Sequence, residues 1–316
     1  MKKIFFGLLF LFTVSALFSQ QIPQFSFRHQ NLIINNPAIV GATGKNEIKL
    51  LHREQWVGFK NAPSTSFISF SQAINTTNGF GAYIMHDRTF PSSRFIVNAS
   101  YSYIINMDNL NLAFGLSAML MQYKFNTSEL TYADFGDPSM QFVADQKWRP
   151  ESNVGLLFYG QNFYAGFAIN QIIKSNFRPY SSDDNGLVQM NRHFCLSGQY
   201  DLHIDEHRIS PGIFMEYVKK APFISEFSIM YSFDNQVFAS LSYRYNDALS
   251  ASIGYKYDRF YLAYAFDFTI SKLSLASSSS HELMLAIDLS KSKTNIPMFG
   301  SGGRSRGLKN TQRIFY

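Results

Sequence analysis

The feature that most constrains this chain is an alternation of period two. From residue 47 to residue 289 the sequence falls into segments of about ten residues with an apolar side chain at every second position. Clusters of Asn, Asp, Gly, Ser and Pro separate them. In Ala248–Tyr257, the residues Leu249, Ala251, Ile253, Tyr255 and Tyr257 fall on one face, and Ser250, Ser252, Gly254 and Lys256 on the other. The flanking segments repeat the pattern, with Val237, Ala239, Leu241, Tyr243 and Tyr245 before it and Phe260, Leu262, Tyr264, Phe266 and Phe268 after it. Successive side chains of a strand point to opposite faces, so this spacing predicts strands and not helices.

Counting the segments gives fourteen strands, near 47–54, 65–74, 79–86, 95–104, 110–120, 152–159, 162–170, 191–200, 207–218, 223–232, 236–245, 249–257, 260–268 and 281–289. The connectors at 75–78, 105–109, 160–161, 201–206, 233–235 and 258–259 are short, and those at 55–64, 121–151, 171–190 and 269–280 are longer. Only 219–222 and 246–248 break the alternation of short with long.

Composition decides what solvent such strands face. Charged residues make up 16% of the 316, below the roughly 25% of an ordinary soluble domain, while aromatic residues also reach 16%. The mean hydropathy is -0.10, and after residue 18 no apolar run approaches the ~20 residues of a spanning helix, which excludes a helical bundle. In lipid every backbone N–H and C=O must pair within the protein, so strands cross a bilayer only as a closed barrel. A soluble β-sandwich would alternate in the same way. Against it stand aromatic residues at strand ends, Tyr243, Tyr245, Tyr255, Tyr257, Phe260 and Phe268, where membrane girdles place them. The expected fold is therefore an all-β, transmembrane, antiparallel up-and-down barrel of about 14 strands.

The ends of the chain differ from its body. Lys2 and Lys3, the apolar stretch 4–18 and the small Ser19 read as a secretory signal peptide over 1–19. Thr13 and Ser15 interrupt that stretch, and its shortness argues against a retained anchor. Residues 20–46 are expected to form a periplasmic lead-in, 47–289 the barrel, and 290–316 a basic tail without periodicity. That tail, with Lys291, Lys293, Arg304, Arg306, Lys309 and Arg313, contains no acid. Setting it and the two N-terminal lysines aside leaves 20 of the 28 basic residues against 22 acids, so the basic character belongs to the ends and does not mark a nucleic-acid-binding body. Short turns lie on the periplasmic side of outer-membrane barrels, which would put both termini in the periplasm.

The stretch QIPQFSFRHQNLIINNPAIVG and the following HREQWVGFKNAPST resemble the opening of the PorP/SprF family of type IX secretion system membrane proteins. FYGQNFYAGFAI, NQVFASLSYRYNDALSASIGYKYDRFYLAYAFDFTISKL and SHELMLAIDL continue the resemblance from Gln21 to about Leu289. Ile22 and Ile39 depart from it, standing where relatives carry an acid and an aromatic residue. The resemblance implies an outer-membrane barrel of a Bacteroidota-type bacterium, surrounded by outer-membrane lipid. It also implies partners: secreted surface proteins with C-terminal type IX sorting domains, and other secretion or gliding-motility components.

Catalytic chemistry finds little support. His203 and His207 have the H-x3-H spacing of a zinc site only if helical, and they lie in an expected short turn. HExxH, G-x-S-x-G and P-loop motifs do not occur, and lone Cys195 supports neither a disulfide framework nor a redox pair. The reading is therefore a non-enzymatic protein without cofactor or metal. The alternative is a passive porin or hydrophobic-solute channel, for which the lumen-facing Glu226, Arg244, Lys256 and Asp267 form no clear ring of charge.

Three sets of residues are candidates for specific roles. Gln55, Trp56, Gly58 and Phe59 occupy an expected outward loop, where an apolar body with a wet edge suits partner contact or interfacial anchoring. Arg304, Arg306, Lys309 and Arg313 could meet an acidic periplasmic partner or the anionic inner leaflet, or be merely solvated. Arg244 and Asp267 should form a structural ion pair inside the barrel, if residues 246–248 are the loop between strands eleven and twelve and Ser250 lies between the two charges.

Overall fold

The computed structural model describes residues 22–125, 147–177, 188–271 and 279–290. The expected signal peptide at 1–19 and the basic tail with Arg304, Arg306, Lys309 and Arg313 lie outside these residues. Within them the wall is built from β1 (Glu47–Glu54), β2 (Ser64–Ala73), β3 (Asn78–Thr89), β4 (Ser92–Met107), β5 (Leu110–Phe125), β6 (Trp148–Tyr159) and β7 (Phe163–Asn170). It continues with β8 (His193–Tyr200, extended by Leu202–Ile204), β9 (His207–Val218), β10 (Ile224–Phe233), β11 (Val237–Arg244), β12 (Ala248–Tyr257), β13 (Phe260–Thr269) and β14 (Ser279–Asp288). Each strand pairs antiparallel with the next, and β1 pairs with β14 from Glu47↔Asp288 to Glu54↔His281, which closes the barrel. A two-residue ribbon, Asn176–Phe177 against Val188–Gln189, stands apart from the wall.

Alternation does what the sequence demands. In β13 the even-numbered Phe260, Leu262, Tyr264, Phe266 and Phe268 are exposed on the outer face, while Ala263, Ala265 and Asp267 are buried inside. The short connectors 74–77, 108–109, 160–162, 234–236 and 258–259 share one rim, and 55–63, with the described residues 171–175 and 190–192, lie at the other. β4 and β5 outrun their expected ends, at 16 residues each, and only Phe90 and Pro91 join β3 to β4. The reason is inner-face chemistry. Asp87 accepts from Arg94 at 2.8 Å and from Thr65 at 2.8 Å, so polar side chains carry the pairing where apolar alternation fades.

The main departure concerns residues 20–46, expected as a periplasmic lead-in. The described part, 22–46, packs inside the barrel, with Phe25, Phe27, Leu32, Ile34, Ala38 and Val40 buried. An arm with this many apolar residues gains more from lining a lumen than from water, because each fully buried aliphatic or Phe side chain contributes about 1.5–3 kcal/mol. Three short 3-10 turns, Arg28–Gln30, Leu32–Ile34 and Pro37–Ile39, compact it. The last is set locally: Pro37 supplies a helical φ at the first position, and the Asn36 side chain accepts from the Ala38 N–H at 2.9 Å.

The segment makes three passes. Ser26 lies beside Asp267 and Glu282 near the long-loop rim, Gln30 beside Lys49 and Met230 near the short-turn rim, Asn35 beside Asn170 higher up, and Val40 beside Ser102 low again. The first described residues thus approach the rim opposite to Ser290, where both chain ends were expected on one side. The wall has room for these passes because several of its inward positions on one flank, Gly79, Gly81, Gly115, Gly155 and Gly166, are glycines. A Cβ at Gly115 would stand 2.1 Å from the Ala38 nitrogen, and one at Gly155 would stand 2.0 Å from Asn36 Oδ1.

Closure does not involve the tail. β14 ends at Asp288, and the Leu289 N–H donates to the Asn46 carbonyl at 2.6 Å. Truncation after Ser290 is therefore expected to leave a heat-resistant barrel, seen as unchanged heat-dependent migration on a denaturing gel. Loss of assembly on truncation would show that the tail takes part in folding.

Candidate functional site

Three ionic clusters fasten the inner segment to the wall. In the first, Arg53 on β1 is 3% exposed. Its Nη2 donates to Asp267 on β13 at 2.7 Å, and its Nη1 donates to Glu282 on β14 at 3.1 Å and to the Ser26 hydroxyl at 2.7 Å. The Ser26 hydroxyl donates to Asp267 Oδ1 at 2.6 Å. Glu282 also accepts the backbone N–H of Ser26 at 2.7 Å and of Phe27 at 3.2 Å. Two carboxylates, one guanidinium and two backbone N–H groups thus meet around one turn of the inner segment. Charges this deeply buried are tolerable only with such mutual satisfaction.

The second cluster lies next to the first. Arg28 lies with its guanidinium 4.1 Å over the Phe214 ring and its Nε 3.4 Å from Glu226, and it also donates to Gln24. Arg244 donates to Glu226 at 3.0 Å and to Asp247 at 2.9 Å. In the third, Gln24 reaches Glu216 at 3.5 Å, and Glu216 is hydrogen-bonded to His193. Below them His29 is drawn down to about 4 by desolvation within the lumen, a loss that neighbouring Glu226 only partly offsets, so its imidazole is neutral near pH 7.

Arg244 and Asp267 both point inward, as expected, but they do not pair directly. Ser250 faces Asp267, whereas Arg244 faces Ala248 because residues 245–247, and not 246–248, join β11 to β12. Each then finds a nearer partner, Arg244 in Glu226 and Asp247, and Asp267 in Arg53. The roles of Arg53, Arg28 and Glu282 were not singled out from sequence. For Arg53 and Glu282 the signal was available as charges on inward positions of alternating strands, while Arg28 lies in a 3-10 turn of the inner segment and had none.

Gln55, Trp56, Gly58 and Phe59 lie at the long-loop rim in the connector after β1. The Trp56 N–H donates to the Ser280 hydroxyl at 3.1 Å and the Val57 N–H to the Ser279 carbonyl at 2.9 Å, which ties the loop to the start of β14. Trp56 and Gln55 are half-buried, while Val57 and Phe59 are 47% and 53% exposed. Gly58 adopts a φ of 94°, a conformation suited to glycine. His203 and His207 sit on adjacent strands of a tight hairpin, where Ile204 faces His207 and His203 faces Arg208. Their side chains leave opposite faces of the sheet, and His207 instead meets the Tyr231 hydroxyl at 2.7 Å. Among the described residues no three His, Cys, Asp or Glu side chains form a metal-binding group.

At the short-turn rim a cavity of ≈ 220 Å³ remains below the inner segment. Its lining mixes apolar residues of the segment with lysine, arginine and carboxylate side chains of the rim.

A closed wall with an apolar exterior and an interior filled by the chain's own N-terminal segment defines a plugged outer-membrane β-barrel. The chain belongs to the PorP/SprF family: the family model described as type IX secretion system membrane protein PorP/SprF matches residues 17–287. No curated protein matches it. Among solved structures it is similar to the Ralstonia pickettii toluene transporter TbuX, at 12% identity and a TM-score of 0.48, over 81% of this chain and 92% of that one. It is also similar to the Acinetobacter baumannii outer membrane protein Omp33, at 9% identity and a TM-score of 0.45, over 78% of this chain and 99% of that one.

Proposed function

We propose that this protein acts by association and not by catalysis, helping proteins with C-terminal type IX sorting domains reach or stay on the cell surface. The family membership carries the reading. The filled lumen supports it over a passive porin, since a diffusion channel needs a continuous aqueous path and this lumen is packed with Phe25, Phe27 and Val40. In this reading residues 1–19 are removed on export, the short-turn rim faces the periplasm and the long loops face outward. The exposed Phe59 and half-buried Trp56 then offer a secreted partner an apolar contact, and the basic tail meets an acidic periplasmic component or the inner leaflet.

Deletion of the gene is expected to remove one or more proteins with sorting domains from the surface or the medium, measured by mass spectrometry of shaved cells and culture supernatant. Small-solute uptake should stay unchanged. Normal secretion together with reduced solute uptake would overturn the proposal in favour of a channel.

A further inference from the structure

We infer that the cavity at the short-turn rim is a binding site for a small soluble anion with an apolar body, an aryl or short-chain carboxylate or phosphate. The inference is independent of the secretion role.

Charge points to the sign of the ligand. Five basic side chains, Lys45, Lys49, Arg208, Lys256 and Arg259, line the cavity against three acids, Glu47, Asp201 and Asp288. The acids are engaged: Glu47 lies 2.8 Å from Lys49, Asp288 lies 3.9 Å from Lys256, and Asp201 accepts from Gln199 at 2.8 Å and faces Arg208 electrostatically. Arg259 makes no ion pair among the described residues and is exposed at the mouth, where Lys45, also exposed, faces Glu47 and Asp288 electrostatically without a close ion pair. Five basic side chains against three acids leave the lining an excess of two positive charges.

The floor points to an apolar body. Leu32, Ile33 and Ile39 of the inner segment and Phe238 and Met284 of the wall also line it. Asn31 lies among them, 2% exposed, and neither its amide oxygen nor its amide nitrogen has a partner. The His29 Nδ1 in the same lining is also unpartnered. Buried polar atoms are rarely left so, and two beside one cavity mark a missing partner. A space of ≈ 220 Å³ holds at least about seven waters at ~30 Å³ each, enough for a one-ring or short-chain molecule and too little for a folded partner.

The test uses the full-length mature protein in phosphatidylcholine nanodiscs and equilibrium dialysis of phenyl phosphate, with inorganic phosphate and benzylammonium as comparators. Saturable one-to-one binding of phenyl phosphate is expected, with inorganic phosphate weaker by roughly tenfold and benzylammonium not bound. The double variant K45Q/R259Q, whose substitutions lie at the exposed mouth, should weaken phenyl phosphate by roughly tenfold or more. Its heat-dependent gel migration should match the wild type; if it does not, the single R259Q, outside the inner segment, carries the same test with a smaller loss. Absence of saturable binding, equal binding of benzylammonium, or unchanged affinity in the variants would overturn the site. Inorganic phosphate binding as tightly as phenyl phosphate would overturn the apolar body. Repeating the titration with phosphatidylglycerol added to the disc separates sources: unchanged affinity supports a soluble ligand, and competition by the bilayer assigns the site to a lipid headgroup and overturns the soluble one.

Discussion

Replacing Gly115 with valine is expected to turn a closed barrel into a conducting one. Gly115 faces inward on β5, and any Cβ there would lie 2.1 Å from the Ala38 nitrogen and 2.4 Å from the Pro37 carbonyl carbon. Both atoms are backbone, so no rotamer relieves the clash. Valine suits a strand better than glycine does, so the wall itself is favoured, and overpacking of about 1–3 kcal/mol falls on the seat of the inner segment. The segment, which meets this point through the turn at Pro37–Ile39 and is held beside it by single hydrogen bonds from Asn36 to the Leu156 carbonyl and from Asn170 to the Asn35 carbonyl, is what yields. Planar-bilayer recording should show an electrically quiet wild type and stepwise conductance in G115V, with heat-dependent migration retained by both. G198A, on the outward face of β8, is a control for adding a Cβ to the wall away from the segment, since its Cβ would meet only the Tyr164 carbonyl and Ile213 at 3.4 Å or beyond. A quiet, fully folded G115V would refute the occupied lumen.

Removal of Arg53 is expected to be the most damaging change of a single side chain. R53M leaves Asp267 and Glu282 facing each other in the lumen without their shared cation, and breaking a buried pair in this way costs about 3–5 kcal/mol. The cost arises from uncompensated carboxylates and not from lost packing, which makes it separable. The triple variant R53M/D267N/E282Q should recover part of the loss, because neutral amides no longer repel, and their oxygens can still accept from the Ser26 hydroxyl and from one of the two backbone N–H groups that Glu282 holds. Thermal loss of the compact gel form reads both variants. If R53M unfolds at the wild-type temperature, or the triple variant is no better than the single one, the cluster does not hold the segment.

The wall was legible because each strand reports itself. The expected and observed bounds coincide at Glu47–Glu54 and His207–Val218, and where they differ, as at β4, polar inner-face pairs had replaced apolar alternation. Inward orientation was legible too, for Arg244 and Asp267 alike. Their partners were not, because pairing depends on the register, and moving the loop from 246–248 to 245–247 carries Arg244 from Ser250 to Ala248. The inner segment was the hardest to foresee. QFSFRHQNLIINNPAIV has no period, since its three turns are each a single 3-10 turn fitted to surrounding wall and not to a repeating face. Its trace lay elsewhere, in glycines at inward positions 79, 81, 115, 155 and 166 beside buried charges of both signs, a combination that an empty water-filled lumen does not require.

The path of the inner segment has a consequence for the order of assembly. Its turn at Ser26 and Phe27 is gripped by Asp267 and Glu282, which belong to the last two strands to be synthesised. Its other end runs directly into β1, the strand that seals against β14. Arg53 stands on β1 and holds both acids. The residues that close the wall are therefore the residues that seat its filling, and neither can be completed while the C-terminal strands are missing. Sealing the wall and seating its filling are thus coupled through the same three side chains, Arg53, Asp267 and Glu282.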